Sequence, residues 1–238
     1  ITKPIFTFWF DDGLTSVRKY AFPILKKYNS LGVISVCSSF FLQDDLFWRS
    51  KLSVLHHLNG MPELRKNLRQ YGFNLGYSIK DFTMDFFSEE IIYEINSIFN
   101  EYTNETQRNY LIKAFDDVSG LKFLSDSGWE ITNHSKSHYP VGEETAIHRF
   151  NDEFQLCEKE IQKIIGNPTK SWVIPFERKS KNSSQLIETF HRYARNNRYL
   201  GLVESRPTSI YDIEQKIIYR IYVPDISGKE LVDYIKSL

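Results

Sequence analysis

Residues 4–13 of the 238-residue chain read PIFTFWFDDG, and the rest of the sequence is interpreted from this stretch. Its apolar, aromatic-rich part predicts a buried β-strand. The strand ends in two adjacent carboxylates, Asp11 and Asp12, followed by Gly13. Adjacent carboxylates repel each other, and burying either one without a cation or hydrogen-bond donors costs free energy. The pair therefore predicts a metal ion or a basic partner supplied from elsewhere in the chain.

The charge balance argues against a polyanionic partner. Lysine plus arginine and aspartate plus glutamate both number 30, so no global basic field attracts nucleic acid or an anionic membrane. No apolar run approaches the roughly 20 residues that a membrane span needs, and no signal segment opens the chain. We therefore expect a cytoplasmic protein without a membrane span. Because the chain begins at Ile1 rather than methionine, a preceding segment remains open.

The two cysteines do not predict a cross-link or a thiolate metal site. Cys37 and Cys157 lie far apart in the sequence and form no C-x-x-C pair. We expect both to be reduced, buried thiols.

Strand and helix patterns alternate along the chain. Such alternation predicts a β/α barrel or an open doubly wound sheet. Strands are predicted at residues 4–10, 32–37, 129–132, 172–176, 199–204 and 217–223. Helices are predicted at residues 23–28, 61–71, 88–99, 108–115, 121–125, 143–165, 184–196 and 228–238. We interpret residues 1–238 as one domain and residues 43–106 as a helical insertion over one end of the sheet.

Two histidines follow the predicted strand at residues 129–132. His134 and His138 are four residues apart, and in a helical turn this spacing puts both imidazoles on one face, where they can bind a divalent metal. The pair alone is weak evidence. It gains weight because Asp11 and Asp12 also follow a strand, and catalytic groups of β/α barrels gather at the carboxyl ends of strands.

Both clusters resemble motifs of one enzyme family. Residues 8–13 (FWFDDG) resemble the T-F-D-D-G motif of the NodB-type polysaccharide deacetylases, carbohydrate esterase family 4. Residues 128–138 (GWEITNHSKSH) resemble their second motif, G-x-E-I-x-N-H-[ST]-x-x-H, which is the more specific match. The resemblance implies the α/β class and a distorted (β/α) barrel of seven or so strands, with the helical insertion added.

The resemblance also implies residue roles. Asp12, His134 and His138 would hold one divalent metal, with zinc foremost and cobalt, nickel or iron as alternatives. Asp11 would be the general base that takes a proton from the attacking water.

The third motif departs from the common family pattern. Residues 172–177 (WVIPFE) resemble the F-A-Y-P-F-G variant rather than R-P-P-Y-G, with Pro175 and Phe176 matching. The resemblance implies a backbone oxyanion donor at Phe176 and substrate contacts at Pro175, Phe176 and Arg178. The motif arginine that orients the base is missing, so Asp11 is expected to lack it. Arg178 either reaches the base from another position or belongs to a solvated basic loop.

The late strand also departs from the family pattern. Family members often carry L-x-H there, with the histidine as general acid, whereas residues 217–223 (IIYRIYV) contain no histidine. The general acid is therefore unassigned, and His57 is only a speculative candidate.

Two functions follow from the resemblance. The first is a metal-dependent deacetylase acting on the N-acyl group of an amino sugar or polysaccharide, during assembly of a surface glycan. Its carbohydrate substrate would be free, nucleotide-linked or polymeric, and the oligomeric state is open. The second is a catalytically impaired protein of the same fold that binds glycans or acts as an assembly partner.

Overall fold

The structure is a computed structural model of the chain. It describes residues 6–73, 88–140, 149–175, 183–194, 198–204, 206–223 and 227–237.

A parallel sheet of six strands forms the centre of the described part of the chain. The strands are β1 Phe8–Phe10, β2 Gly32–Val36, β3 Glu130–Asn133, β4 Ser171–Val173, β5 Tyr199–Val203 and β6 Ile217–Arg220. Each predicted strand is present, and its described ends agree with the prediction within a few residues; residues 4 and 5 of the first predicted strand lie outside the described residues. Every strand pairs in parallel with the next one along the chain.

The strand order decides between the two predicted architectures. The order β1-β2-β3-β4-β5-β6 contains no reversal, whereas a doubly wound sheet reverses at a switch point. The six parallel strands curl into a half-barrel surrounded by helices, which confirms the predicted distorted (β/α) barrel. Because all five pairings are parallel, the six carboxyl ends lie at the same rim of the sheet.

Eleven α-helices accompany the strands in the described residues. They are α1 Phe22–Lys27, α2 Ser38–Phe41, α3 Trp48–His57, α4 Met61–Gln70, α5 Glu89–Tyr102, α6 Glu105–Leu111, α7 Val118–Asp126, α8 Phe150–Ile165, α9 Ser183–Ala194, α10 Ile210–Glu214 and α11 Gly228–Ser237. A π-helix at Val17–Ala21 precedes α1, and a 3₁₀ turn at Ile112–Ala114 follows α6. The sequence predicts two helices within residues 43–106, whereas α3, α4 and α5 all lie there.

Side-chain caps fix where several helices begin. Ser88 accepts a hydrogen bond in the first turn of α5, and Asn104 and Gln107 form a reciprocal capping box at α6. The Gly120 N–H donates to Asp117 Oδ1 over 2.9 Å at the start of α7. These bonds satisfy N–H groups that a helix cannot satisfy internally.

The apolar core has three parts. The first lies among α3, α4 and α5 and includes Cys37, which follows β2, and Phe40 of α2. The second packs the outer faces of β2 and β3 against α7 and α8, and the third packs β4, β5 and β6 against α8 and α9. Helix α8 contributes to both of these layers, so it joins the two halves of the sheet.

Two further predictions can be compared with the structure. Cys37 and Cys157 are buried free thiols, as predicted. Among the described residues, no helix combines the length and the apolar character that a membrane crossing requires.

Candidate metal centre

Asp11, Asp12 and Gly13 form the turn that leaves β1. Asp12 and Gly13 both have left-handed backbone conformations, with φ of 70° and 74°. Aspartate tolerates this conformation better than most residues, and glycine adopts it freely. The Asp116 N–H donates to the Gly13 carbonyl over 2.8 Å, which ties the turn to the segment before α7. The turn brings the Asp12 carboxylate to the carboxyl end of β3.

The two histidines lie in a loop rather than in a helix. Ser135 and His138 have φ of 73° and 58°, so the prediction that a helical turn aligns the imidazoles is wrong. Asn133 Oδ1 accepts a hydrogen bond from the Ser135 N–H over 2.9 Å, and Ser135 Oγ accepts one from the His138 N–H over 3.1 Å. These side-chain bonds replace the helical pattern and fold the loop so that both imidazoles converge.

Asp12, His134 and His138 bring their ligand atoms together as the sequence predicts. Asp12 Oδ1 lies 2.9 Å from His138 Nε2 and 3.6 Å from His134 Nε2. The two Nε2 atoms are 3.1 Å apart. These residues form a group of possible metal ligands whose donor atoms all lie within 4.8 Å of one another.

His134 is prepared to act as a neutral ligand. Its Nδ1 lies 2.9 Å from the Val173 carbonyl, and donating a proton there leaves the Nε2 lone pair directed at the site. Burial lowers the pKa of His134 to about 4, despite the nearby carboxylates of Asp11 and Asp12. The imidazole is therefore neutral at neutral pH, the form that binds metals.

Asp12 is ionised in the same setting. Burial raises the pKa of its carboxyl, but the adjacent His138 and His134 outweigh this and hold the pKa below its ordinary value. The site thus offers one carboxylate oxygen and two imidazole nitrogens.

An arginine that the sequence analysis did not identify binds Asp11. Arg220, at the end of β6, donates from Nη1 to both Asp11 carboxylate oxygens over 2.7 and 2.9 Å. The motif arginine is absent from residues 172–177, and Arg220 binds Asp11 in its place. β1 and β6 are the two edges of the sheet, and its curl brings them face to face. The signal in the sequence is one charged residue within the otherwise apolar and aromatic segment at residues 217–223.

The charged groups around Asp11 lower its pKa to about 2. Burial alone would raise it, while the neighbouring His134 and the Arg220 guanidinium lower it. Because His134 is neutral above a pH of about 4, Arg220 is the cation that keeps Asp11 ionised at neutral pH.

Arg220 lies beside the Trp9 ring and Gly201 inside the half-barrel. The guanidinium carbon lies 5.4 Å from the centre of the Trp9 ring. A Cβ at Gly201 would lie 3.0 Å from Val173 Cγ2 and 3.3 Å from the Trp9 ring. A side chain at position 201 would therefore displace the ring on which Arg220 rests.

The other site residues predicted from the sequence lie at the rim of the sheet, on α3 or outside the described residues. Pro175 follows β4 at the rim of the sheet, whereas Phe176 and Arg178 lie outside the described residues. His57 is exposed in the last turn of α3.

Comparison with known proteins supports the sequence resemblance. The family model "Polysaccharide deacetylase" matches residues 82–192, which include His134, His138 and Pro175. The predicted resemblance to polysaccharide deacetylases is confirmed. Asp11 and Asp12 precede the matched residues, and the structure places them beside His134 and His138. No curated protein sequence matches the chain significantly.

Solved deacetylase structures share the fold at low sequence identity. The Streptococcus pyogenes deacetylase PplD in complex with acetate is 14% identical, with 98% of this chain and 71% of that chain covered and a TM-score of 0.54. The de-N-acetylase from Aggregatibacter actinomycetemcomitans is 14% identical, with 96% and 74% covered and a TM-score of 0.53. IcaB from Ammonifex degensii is 13% identical, with 96% and 71% covered and a TM-score of 0.50. At these identities the similarity concerns the fold.

Proposed function

We propose that the protein is a metal-dependent hydrolase that removes the N-acyl group, foremost N-acetyl, from an amino sugar or polysaccharide. The family match supports a carbohydrate deacetylase. The observation that carries the proposal is the convergence of Asp12, His134 and His138 beside an ionised Asp11. We place the reaction in the assembly of a surface glycan.

The three converging residues fit a divalent metal. Asp12 Oδ1 is buried, and no described residue donates a hydrogen bond of regular geometry to it. Bonds of 2.0–2.1 Å to a tetrahedral zinc ion imply donor separations of about 3.3 Å, close to the observed 2.9, 3.1 and 3.6 Å. Two imidazoles and one carboxylate suit zinc, with cobalt, nickel or iron as alternatives. When bound, the ion lowers the pKa of a water molecule and polarises the acyl carbonyl.

The protein itself supplies the base and the groups that orient the base and His134. The Asp11 carboxylate accepts a proton from the attacking water, and Arg220 fixes the orientation of that carboxylate. Val173, through its carbonyl, holds the His134 ring in the tautomer that presents Nε2.

Substrate contacts are assigned by the family resemblance. We propose that the Phe176 N–H stabilises the oxyanion, and that Pro175, Phe176 and Arg178 contact the sugar. An oxyanion donor of this kind is worth about 2.7–4 kcal/mol elsewhere. The general acid that protonates the leaving amine is unassigned.

The alternative, a catalytically impaired glycan-binding protein, now has less support. The absence of the motif arginine and of the late-strand histidine favours it. Arg220 supplies a guanidinium to Asp11 from β6 and removes the first of these arguments. The ionised Asp11 beside the metal residues favours the enzyme.

The test separates metal binding from proton transfer. Metal content and acetate release from N-acetylglucosamine oligomers are measured for the wild type, Asp12→Ala and Asp11→Asn. We expect one ion per chain in the wild type and none in Asp12→Ala. Asp11→Asn should keep the ion and lose about 10²–10⁴-fold in kcat.

Asp126→Asn is the matched control, because this exposed carboxylate pairs only locally with Lys122. It should behave as the wild type in both assays. A folded wild-type protein that binds no zinc, or an Asp11→Asn variant with full activity, would contradict the proposal.

A further inference from the structure

The loop at residues 134–138 is held by elements outside the metal site. The Ser137 N–H donates to Glu153 Oε2 of α8 over 2.8 Å. The Lys136 carbonyl accepts a hydrogen bond from the Ser39 N–H of α2 over 3.0 Å. These two hydrogen bonds fix the loop backbone at Lys136 and Ser137, directly before His138.

The start of α3 holds His138 itself. Trp48 Nε1 donates to the His138 carbonyl over 3.2 Å, and the two residues are only 7% and 5% exposed. The Phe47 ring packs against the His138 imidazole, with ring centres 4.5 Å apart. One contact fixes the backbone of the ligand and the other fixes its ring.

His138 needs such support because of its backbone conformation. A φ of 58° is unfavourable for histidine, and conformations of this kind persist only where the surroundings enforce them. Without the indole N–H, the buried His138 carbonyl would lose this partner and the loop could relax toward a more extended form.

Trp48 also belongs to the core among α3, α4 and α5. It lies in the same buried cluster as Leu52, Leu55, Ile95 and Phe99. The packing that orders these helices thus extends directly to the side chain that donates a hydrogen bond to the His138 carbonyl.

We propose that Phe47 and Trp48 make the α3–α5 helices a positioning element for His138, so that metal binding and ordering of these helices are coupled. The inference rests on the proposed function, in which His138 binds a metal. Coupling of this kind is reciprocal, because an ion that favours the aligned His138 must also favour the helix arrangement that aligns it.

Zinc affinity of the full chain, measured by competition with a chelating indicator, tests the proposal. Trp48→Phe keeps an aromatic ring and removes the N–H. We expect zinc to bind at least about 10-fold more weakly, the loss typical for a residue that orients a metal ligand.

Trp129→Phe is the matched control. Trp129 is equally buried but stacks on Phe10, with ring centres 5.7 Å apart. Its replacement should lower the melting temperature and leave the zinc affinity unchanged, which separates positioning from general stability.

If Trp48→Phe does not fold, hydrogen exchange of the wild type tests the proposal instead. Zinc should slow exchange at the Leu52 and Leu55 amides of α3 more than at amides of α9. If zinc binds the wild type but Trp48→Phe binds it equally well, or α3 is protected no more than α9, the coupling is overturned and the proposed function stands. If the wild type binds no zinc, both proposals fail.

Discussion

Arg220 shows how a side chain on another strand can take the place of a missing motif arginine. Its guanidinium binds Asp11 from β6, and its side chain is only 12% exposed. An arginine so placed interacts with both carboxylate oxygens and restricts rotation of the carboxylate, which a solvated lysine or water does not do. The orientation of the proposed base therefore depends on a residue from the opposite edge of the sheet.

Replacing Arg220 should impair catalysis more than metal binding. We expect Arg220→Met to lower kcat by about 100-fold, because a base that is free to rotate loses much of its catalytic contribution. Arg220→Lys should recover part of this loss, since it keeps the charge without the planar geometry. The measurements are acetate release and zinc content.

Arg206→Met is a suitable control because Arg206 forms a similar pair with Asp212, over 2.7 Å. It should keep the wild-type kcat. An Arg220→Met variant with wild-type kcat would show that Asp11 needs no guanidinium.

The residues proposed as metal ligands stand out in the sequence, whereas Arg220 does not. Asp12, His134 and His138 each follow an apolar strand, and their types and positions match short motifs. Arg220 contacts Asp11 across 209 residues of sequence, and only the curl of the sheet brings them together. Local patterns carry no information on that curl.

At the level of elements, α8 joins the strands that carry the site. Its buried Glu158 accepts hydrogen bonds from the Thr169 N–H over 2.8 Å and from Trp172 Nε1 over 2.9 Å. It also accepts one from Asn133 Nδ2 over 3.2 Å and pairs with Arg198 over 3.1 Å. One carboxylate thus connects α8 to β3, to β4 and to the residue before β5.

Glu158 should make the fold sensitive to acid. Burial raises its pKa, but hydrogen bonds from Thr169, Trp172 and Asn133 outweigh this, so the pKa lies below its ordinary value. A carboxyl with a lowered folded-state pKa stabilises the fold above the unfolded-state pKa, near 4.3, and the contribution is lost as the pH falls through the folded-state pKa. We expect Glu158→Gln to cost about 1–3 kcal/mol at pH 7 and progressively less below a pH of about 4.

Urea unfolding at several pH values measures this dependence. Glu160→Gln is the control on the same helix, because Glu160 pairs only with the nearby Lys163. It should follow the wild-type curve. A free-energy difference between wild type and Glu158→Gln that stays constant from pH 7 to pH 3 would contradict the assignment.

Of the helices α3, α4 and α5 within residues 43–106, the sequence pattern predicts only two. α4 and α5 are predicted from their apolar spacing. The spacing of Trp48, Leu52 and Leu55 is also helical, but α3 is preceded by Phe47, which provides no capping side chain, so the sequence lacks a start signal for this helix. Its contact with His138 could not be predicted, because it depends on how the helices pack over the rim of the sheet.

For the molecule as a whole, the three proposed metal ligands come from distant parts of the chain. Asp12 follows the first strand, whereas His134 and His138 follow the third. An unfolded chain does not hold these donors together, so an ion that binds them favours the folded state.

Zinc should therefore raise the thermal stability of the protein. At a free concentration 100 times Kd, the folded state gains about 2.7 kcal/mol. For a chain of this size, that gain corresponds to a rise of about 5–10 °C in the melting temperature. His138→Ala should abolish the rise because it removes a donor, while His56→Ala, at an exposed position on α3, should keep it. The measurement is calorimetry with and without zinc. Equal shifts in wild type and His138→Ala would mean that zinc stabilises the protein from another site, and the assignment of the three converging residues as its ligands would be wrong.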